Sequence, residues 1–160
     1  MTEDVVPTER GAHRSGGVGG LGEPTTGVGG EWEYELDFCL DEFLANNFEK
    51  VFGGRLRLYV DDEGQVGWRY PTPIGQIDML AVEVDTGSFV VIKVKPGWAT
   101  EEDLGRLLAE MKWVGENMRG GTSDVKGWII CKHKQRILDF TAKTYNVTVK
   151  RYRFGFKLED

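Results

Sequence analysis

The stretch from Tyr70 to Trp98, YPTPIGQIDMLAVEVDTGSFVVIKVKPGW, constrains the fold more than any other part of this 160-residue chain. Two apolar runs flank Asp85-Thr86-Gly87, residue types suited to a tight turn, so the stretch reads as a β-hairpin. Side chains alternate along a strand with period two, which puts Phe89, Val91, Lys93 and Lys95 on one face and Val90, Ile92 and Val94 on the other. Asp78 lies in the apolar first strand, and the two lysines close the second. Charges at the end of such a hairpin cost desolvation unless they meet one another or a ligand. That end is the candidate site.

Residues 1–30 are rich in Gly with scattered Ser, Thr and Pro, have little to bury, and read as a disordered tail or linker. Their GGVGG and GVGG pieces lack the preceding strand and following Lys-Ser/Thr of a phosphate loop. The folded domain is expected over 31–160. A helix is predicted from Glu31, with Leu36, Leu40, Phe43, Leu44 and Phe48 as its stripe and Asp37 at the stripe's edge. Gly53-Gly54 ends it, and strands follow at 55–60 and 66–70. Past the hairpin, Thr100 caps a second helix whose first turn holds Glu101, Glu102 and Asp103. Leu104, Leu107, Leu108, Met111 and Val114 form its core stripe, while Arg106 and Glu110 sit one turn apart at ion-pair spacing. A strand at 127–131, a helix at 135–145 and strands at 147–152 and 154–158 complete the chain. This order predicts an α/β fold with a mixed central sheet flanked by helices.

The net charge of −6 argues against nucleic acid, but its distribution argues the other way. Residues 31–125 hold nine basic and nineteen acidic side chains, whereas 126–157 hold nine basic ones against Asp139 alone. A basic third suits an anionic partner on one face; it equally suits packing against an acidic remainder. Cys39 and Cys131 have apolar neighbours and no second Cys or His at ligand spacing, as reduced core thiols of an intracellular, cytoplasmic protein do. No apolar run reaches the length of a membrane span. Trp68, Trp98, Trp113 and Trp128 read as core or rim aromatics in preference to base-stacking platforms, and His133 has no catalytic partner nearby in sequence.

TPIGQIDMLAVE, then FVVIKVKPG, then LGRLLAEMKWVGENM, resemble three segments of the PD-(D/E)xK nuclease superfamily, and within it the C-terminal nuclease domain of NucS-type endonucleases and their stand-alone relatives. In that family the segments read approximately T-x-I-G-x-I-D-L-L-A, V-V-I-E-L-K-R-G and V-G-Q-I-L-R-Y-M-G-W-V-K-E-N. The similarity spans about residues 33–159. It implies a restriction-endonuclease-like core, Mg²⁺-dependent (or Mn²⁺-dependent) phosphodiester hydrolysis, and duplex, mismatched or branched DNA as partner. NucS-type enzymes carry a separate N-terminal DNA-binding and dimerisation domain, so the resemblance also implies a homodimer or a protein partner.

Carried over by position, Asp78 is the metal ligand, Lys95 the catalytic lysine and Asp37 the first-helix acid. Other positions depart from the pattern: the metal-binding Glu falls on Lys93, the helix Gln on Arg106, the following Tyr on Glu110, and the Arg after the catalytic Lys on Pro96. A protonated lysine cannot ligate Mg²⁺. The expectation is that Lys93 pairs with Asp78 in the metal's place, leaving a DNA-binding fold with cleavage impaired or lost, or an inactive protein-interaction module. The alternative is an active nuclease with a migrated carboxylate, Glu110 or Glu83. Lys132, Lys134 and Arg136 are the expected DNA contacts.

Overall fold

The computed structural model describes residues 40–118, 124–155 and 157–160, together with the backbone of 25–26 and 32–33. Asp37, Cys39 and the loop 119–123 lie outside the described residues. The chain divides into two units, Met1–Phe38 and Cys39–Asp160. In the first, β1 (Thr25–Thr26) pairs antiparallel with β2 (Trp32–Glu33). Trp32 and Glu33, expected in the first helix, are therefore extended.

The second unit begins with α1 (Leu40–Asn46) and α2 (Phe48–Phe52). Asn47 separates the two, its side chain donating to the Phe43 carbonyl, and Gly53 closes α2 at φ 62, a left-handed value that favours glycine. The strands are β3 (Leu56–Leu58), β4 (Trp68–Thr72), β5 (Gly75–Glu83), β6 (Phe89–Ala99), β7 (Lys126–Lys134) and β8 (Val147–Arg151). Between the last strands come α3 (Glu101–Asn117) and α4 (Arg136–Thr144). The six strands form one mixed sheet in the order β3-β5-β6-β7-β8, with β4 also on β5. β3 pairs with the C-terminal part of β5 and β4 with its N-terminal part, both antiparallel. Gly67 makes the passage between them: its N–H donates to the Tyr59 carbonyl and its own carbonyl accepts from Leu80, both at 2.7 Å. A Cβ there would fall 2.1 Å from the Leu80 carbonyl oxygen, so the crossing admits no side chain.

β5 and β6 form the predicted antiparallel hairpin, and β6-α3-β7-α4-β8 continues in parallel. Leu104, Leu107, Met111 and Val114 of α3 and Leu138 and Ala142 of α4 share one core with Leu80, Val82, Phe89, Val91, Ile129 and Cys131. α1 packs against β5 and β6, and Phe52 of α2 meets Trp128 with ring centroids 5.7 Å apart. β6 is buried from Phe89 through Val94, as a central strand between two helical layers must be. The strand expected at 154–158 does not form in its described residues; Phe154 instead sets its ring edge-on to Phe43 of α1 at 5.5 Å. Among the described residues no helix is long and apolar enough to cross a membrane.

Candidate functional site

The β5–β6 ladder runs from the Val82–Phe89 pair to Met79–Ile92 and goes no further. Asp78, the next residue outward, accepts a hydrogen bond from the Val94 backbone N–H at 2.8 Å through its carboxylate. Its side chain thus takes a donor that strand pairing would otherwise satisfy, and the carboxylate is held at the point where the strands part. Lys93 lies opposite. It is only 8% exposed, in a strand of buried aliphatic residues, and a buried ammonium needs counter-charge. Two carboxylates supply it: Glu110 of α3 accepts from the Lys93 Nζ at 3.0 Å, and Asp78 stands 3.9 Å away.

This corrects the expected pairing of Glu110 with Arg106. Helical spacing allows that pair, but Glu110 turns inward because Lys93 is the cation without water. Arg106 stays exposed and acts on Glu110 only as a more distant charge. One Glu110 oxygen, Oε2, is buried with no hydrogen-bond partner. Burial pushes the Glu110 carboxyl above its ordinary range, helped by the Asp78 charge and opposed by Lys93 and Arg106.

The donor set does not fit a divalent ion. Among the described residues, Asp78 and Glu110 are the carboxylates that meet Lys93, and its ammonium already lies between them. Among the described residues no group of three or more His, Cys, Asp and Glu side chains is arranged to hold a metal. A divalent ion about 4 Å from that ammonium meets repulsion of roughly 8 kcal/mol at an effective dielectric of about 20.

The other expected residues fall in separate places. Lys95 bonds to Asp103 at 3.2 Å, and Asp103 is half of the box that caps α3, its carboxylate accepting from the Thr100 N–H and its own N–H donating to the Thr100 hydroxyl. Burial pushes the Asp103 carboxyl up, but the hydrogen bonds from Thr100 and Lys95 outweigh it and hold the group below its ordinary range. Glu83 lies at the far end of β5, paired with Lys126 at 3.0 Å, and joins none of the Asp78 cluster. Lys132, Lys134 and Arg136 gather where β7 gives way to α4, with Lys134 neutralised by Asp139 at 2.8 Å. Asp37 lies outside the described residues; one turn later, Asp41 of α1 binds Trp68 and Arg69 of β4 at 3.1 and 2.8 Å. Trp98, expected at the core or rim, is 59% exposed and lies against His133.

No family model matches the chain, and no curated protein is similar to it. Solved structures do match. A structure of an EndoMS–dsDNA complex aligns over 74% of this chain and 44% of its own, at 14% identity and a TM-score of 0.57. A crystal structure of a repair endonuclease from Pyrococcus abyssi aligns over 72% of this chain and 47% of its own, at 14% identity and a TM-score of 0.56. EndoMS in its apo form covers 72% and 44%, at 14% identity and a TM-score of 0.52. The chain has the fold of these endonucleases. It spans less than half the length of each. The restriction-endonuclease-like α/β core implied by the three motifs is thereby borne out, and within this nuclease fold Asp78 and Lys93 face each other across the end of the β5–β6 ladder.

Proposed function

We propose that this chain is a DNA-binding protein of the nuclease fold in which metal-dependent phosphodiester cleavage has been lost. The observation that carries the reading is the Lys93 ammonium held between Asp78 and Glu110, where the resemblance expects a carboxylate and a cation. Hydrolysis of a phosphodiester in this family needs an ion held by hard oxygen donors to neutralise developing charge. A tethered ammonium offers charge but no vacant coordination position and no activated water. The basic end of β7 supports retention of DNA, duplex, mismatched or branched, with a homodimer or a protein partner sharing the contact.

The test has two parts. Duplex and branched DNA should be retained at about 50 mM salt and released as salt approaches about 200 mM. With Mg²⁺ or Mn²⁺ the unmodified protein should leave the DNA uncut; metal-dependent cutting sinks the proposal of lost cleavage. Lys93→Glu replaces the ammonium with a third carboxylate beside Asp78 and Glu110. Its melting temperature should rise when Mn²⁺ is added, because an ion that binds only the folded state stabilises it, while that of the unmodified protein should not move.

A second reading, a protein-interaction module, is favoured by one observation. Ile137 and Phe140 of α4 stand 55% and 82% exposed. Failure to retain DNA even at low salt would select it.

A further inference from the structure

We propose that the outer edge of β8 is a docking site for an extended acidic peptide, which adds to the sheet as a further strand with aliphatic residues on one face and carboxylates on the other. The inference stands apart from the DNA-binding reading, because a sheet is extended by main chain and not by DNA.

β8 ends the strand order, and among the described residues no strand lies beyond it. Its ladder to β7 is parallel and unbroken from Val147 to Arg151. The Asn146 carbonyl accepts from the Gly127 N–H at 3.2 Å, and the Tyr152 N–H donates to the Cys131 carbonyl at 2.9 Å. By the alternation of such a ladder, Thr148 and Lys150 also direct their main-chain groups to β7, while those of Val147, Val149 and Arg151 turn outward. An open edge is a template for another strand, and natural sheets block it with lysines among other devices. Here the cations are drawn back. Lys150 lies over the Trp128 ring of β7 at 4.3 Å, and the Arg151 Nε donates to the Lys132 carbonyl, also on β7, at 3.0 Å.

The two sides of this edge differ. Val147 and Val149 face the same core as Ile129, and beside them, where α4 meets β8, lies a groove of about 190 Å³ with Ala142 and Lys143 also in its lining. On the opposite side Thr148 and Lys150 are exposed. Successive side chains of an added strand alternate between these two sides. One set enters the groove, where Ala142 and the valines favour aliphatic residues; the other meets Lys150.

Charge chooses the partner. Lys150 and Arg151 are held by a ring and a carbonyl, which leave their charge whole, and Lys143 is exposed at the groove. Asp139, also in the lining, is already matched by Lys134 at 2.8 Å. A second copy pairing edge to edge would bring the same cations together, whereas carboxylates on an incoming strand offset them. Main-chain pairing gives such a contact its affinity, and the alternate side chains give it specificity.

The experiment uses the whole chain and a capped, fluorescent peptide of alternating valine and glutamate, long enough to pair along all of β8, with binding read by anisotropy. A scrambled peptide of the same composition should bind about tenfold more weakly, as should one alternating valine with lysine. Two further peptides carry N-methyl groups, one on its valine nitrogens and one on its glutamate nitrogens. In an added strand only one of these sets faces β8, so one peptide should lose about tenfold in affinity and the other hardly any. Val149→Pro removes an outward N–H without touching the ladder to β7. It should weaken the alternating peptide about tenfold and leave the melting temperature and DNA retention nearly unchanged. Failure of the alternating peptide to bind, or binding that neither N-methylation weakens, overturns the proposal. So does self-association of the chain that Val149→Pro abolishes, which assigns the edge to a second copy. Were Val149→Pro to unfold, the N-methylated peptides still decide the matter, because they leave the protein untouched.

Discussion

Two lysine–glutamate pairs lie at opposite ends of the β5–β6 hairpin with the same geometry and opposite physics. Lys93–Glu110 and Lys126–Glu83 both close to 3.0 Å. The first pair has side chains 10% and 12% exposed, the second 33% and 24%. Burial drives the Glu110 carboxyl upward in spite of its lysine. At the other end, hydrogen bonds from Lys126 and then Thr86 pull Glu83 downward. Distance therefore does not say what an ion pair contributes; access of water does. The pair that looks like a salt bridge at the candidate site is a charge compensation forced by a buried lysine.

The largest effect should come from breaking the buried pair on one side. Lys93→Ala leaves Glu110 buried with one orphan oxygen becoming two, and should cost about 3–5 kcal/mol in urea unfolding at neutral pH. The loss should shrink as pH falls, because Glu110 takes up a proton and its charge disappears. Lys93→Met with Glu110→Leu removes both charges and should recover most of the loss. A double variant no more stable than Lys93→Ala would show that the pair stabilises the fold in its own right.

Next in size is the pH dependence, where the two kinds of carboxylate have opposite signs. Glu110 binds its proton more tightly folded than unfolded. Its contribution is thus full below the ordinary value of 4.5 and is lost as pH rises through the raised folded value. Asp103 is the reverse: its contribution is present above the ordinary 3.8 and is lost as pH falls through the lowered folded value. Glu110→Gln should flatten the decline in stability above pH 4.5, and Asp103→Asn the acid limb. Melting curves across pH check both; an Asp103→Asn destabilisation that persists undiminished well below pH 3.8 would contradict the assignment.

Much of this was legible in the sequence because local rules and tertiary packing agree. The turn at Asp85-Thr86-Gly87, the period-two faces of β6, and Thr100 with Asp103 at the start of α3 all follow from spacing alone, and the structure keeps them. Glu110 was misread for a physical reason. In sequence it is one helical turn from Arg106, but only the fold brings Lys93 beneath it, and a buried cation outbids an exposed one. Phe154 was read into a strand because it alternates with its neighbours; packing on Phe43 uses the ring otherwise. Trp98, expected at the core or rim, stands exposed just past the register shift between Lys95 and Trp98. Each miss arose where one contact distant in sequence overrode a local pattern.

The smallest effect should be at the far end of the hairpin. Glu83→Gln removes the charge facing Lys126 but keeps an oxygen for the Thr86 hydroxyl, which donates to Glu83 at 2.8 Å. Water already reaches both partners, so the lysine left behind is solvated and the variant should unfold at nearly the wild-type urea concentration. What change there is should appear above pH 4.5 and fade in acid, since the lowered Glu83 contributes only while ionised, and added salt should mask it. If Glu83→Gln instead costs as much as Lys93→Ala, water access is not what separates the two pairs. Their difference would then have to be sought in the strands and not in their side chains.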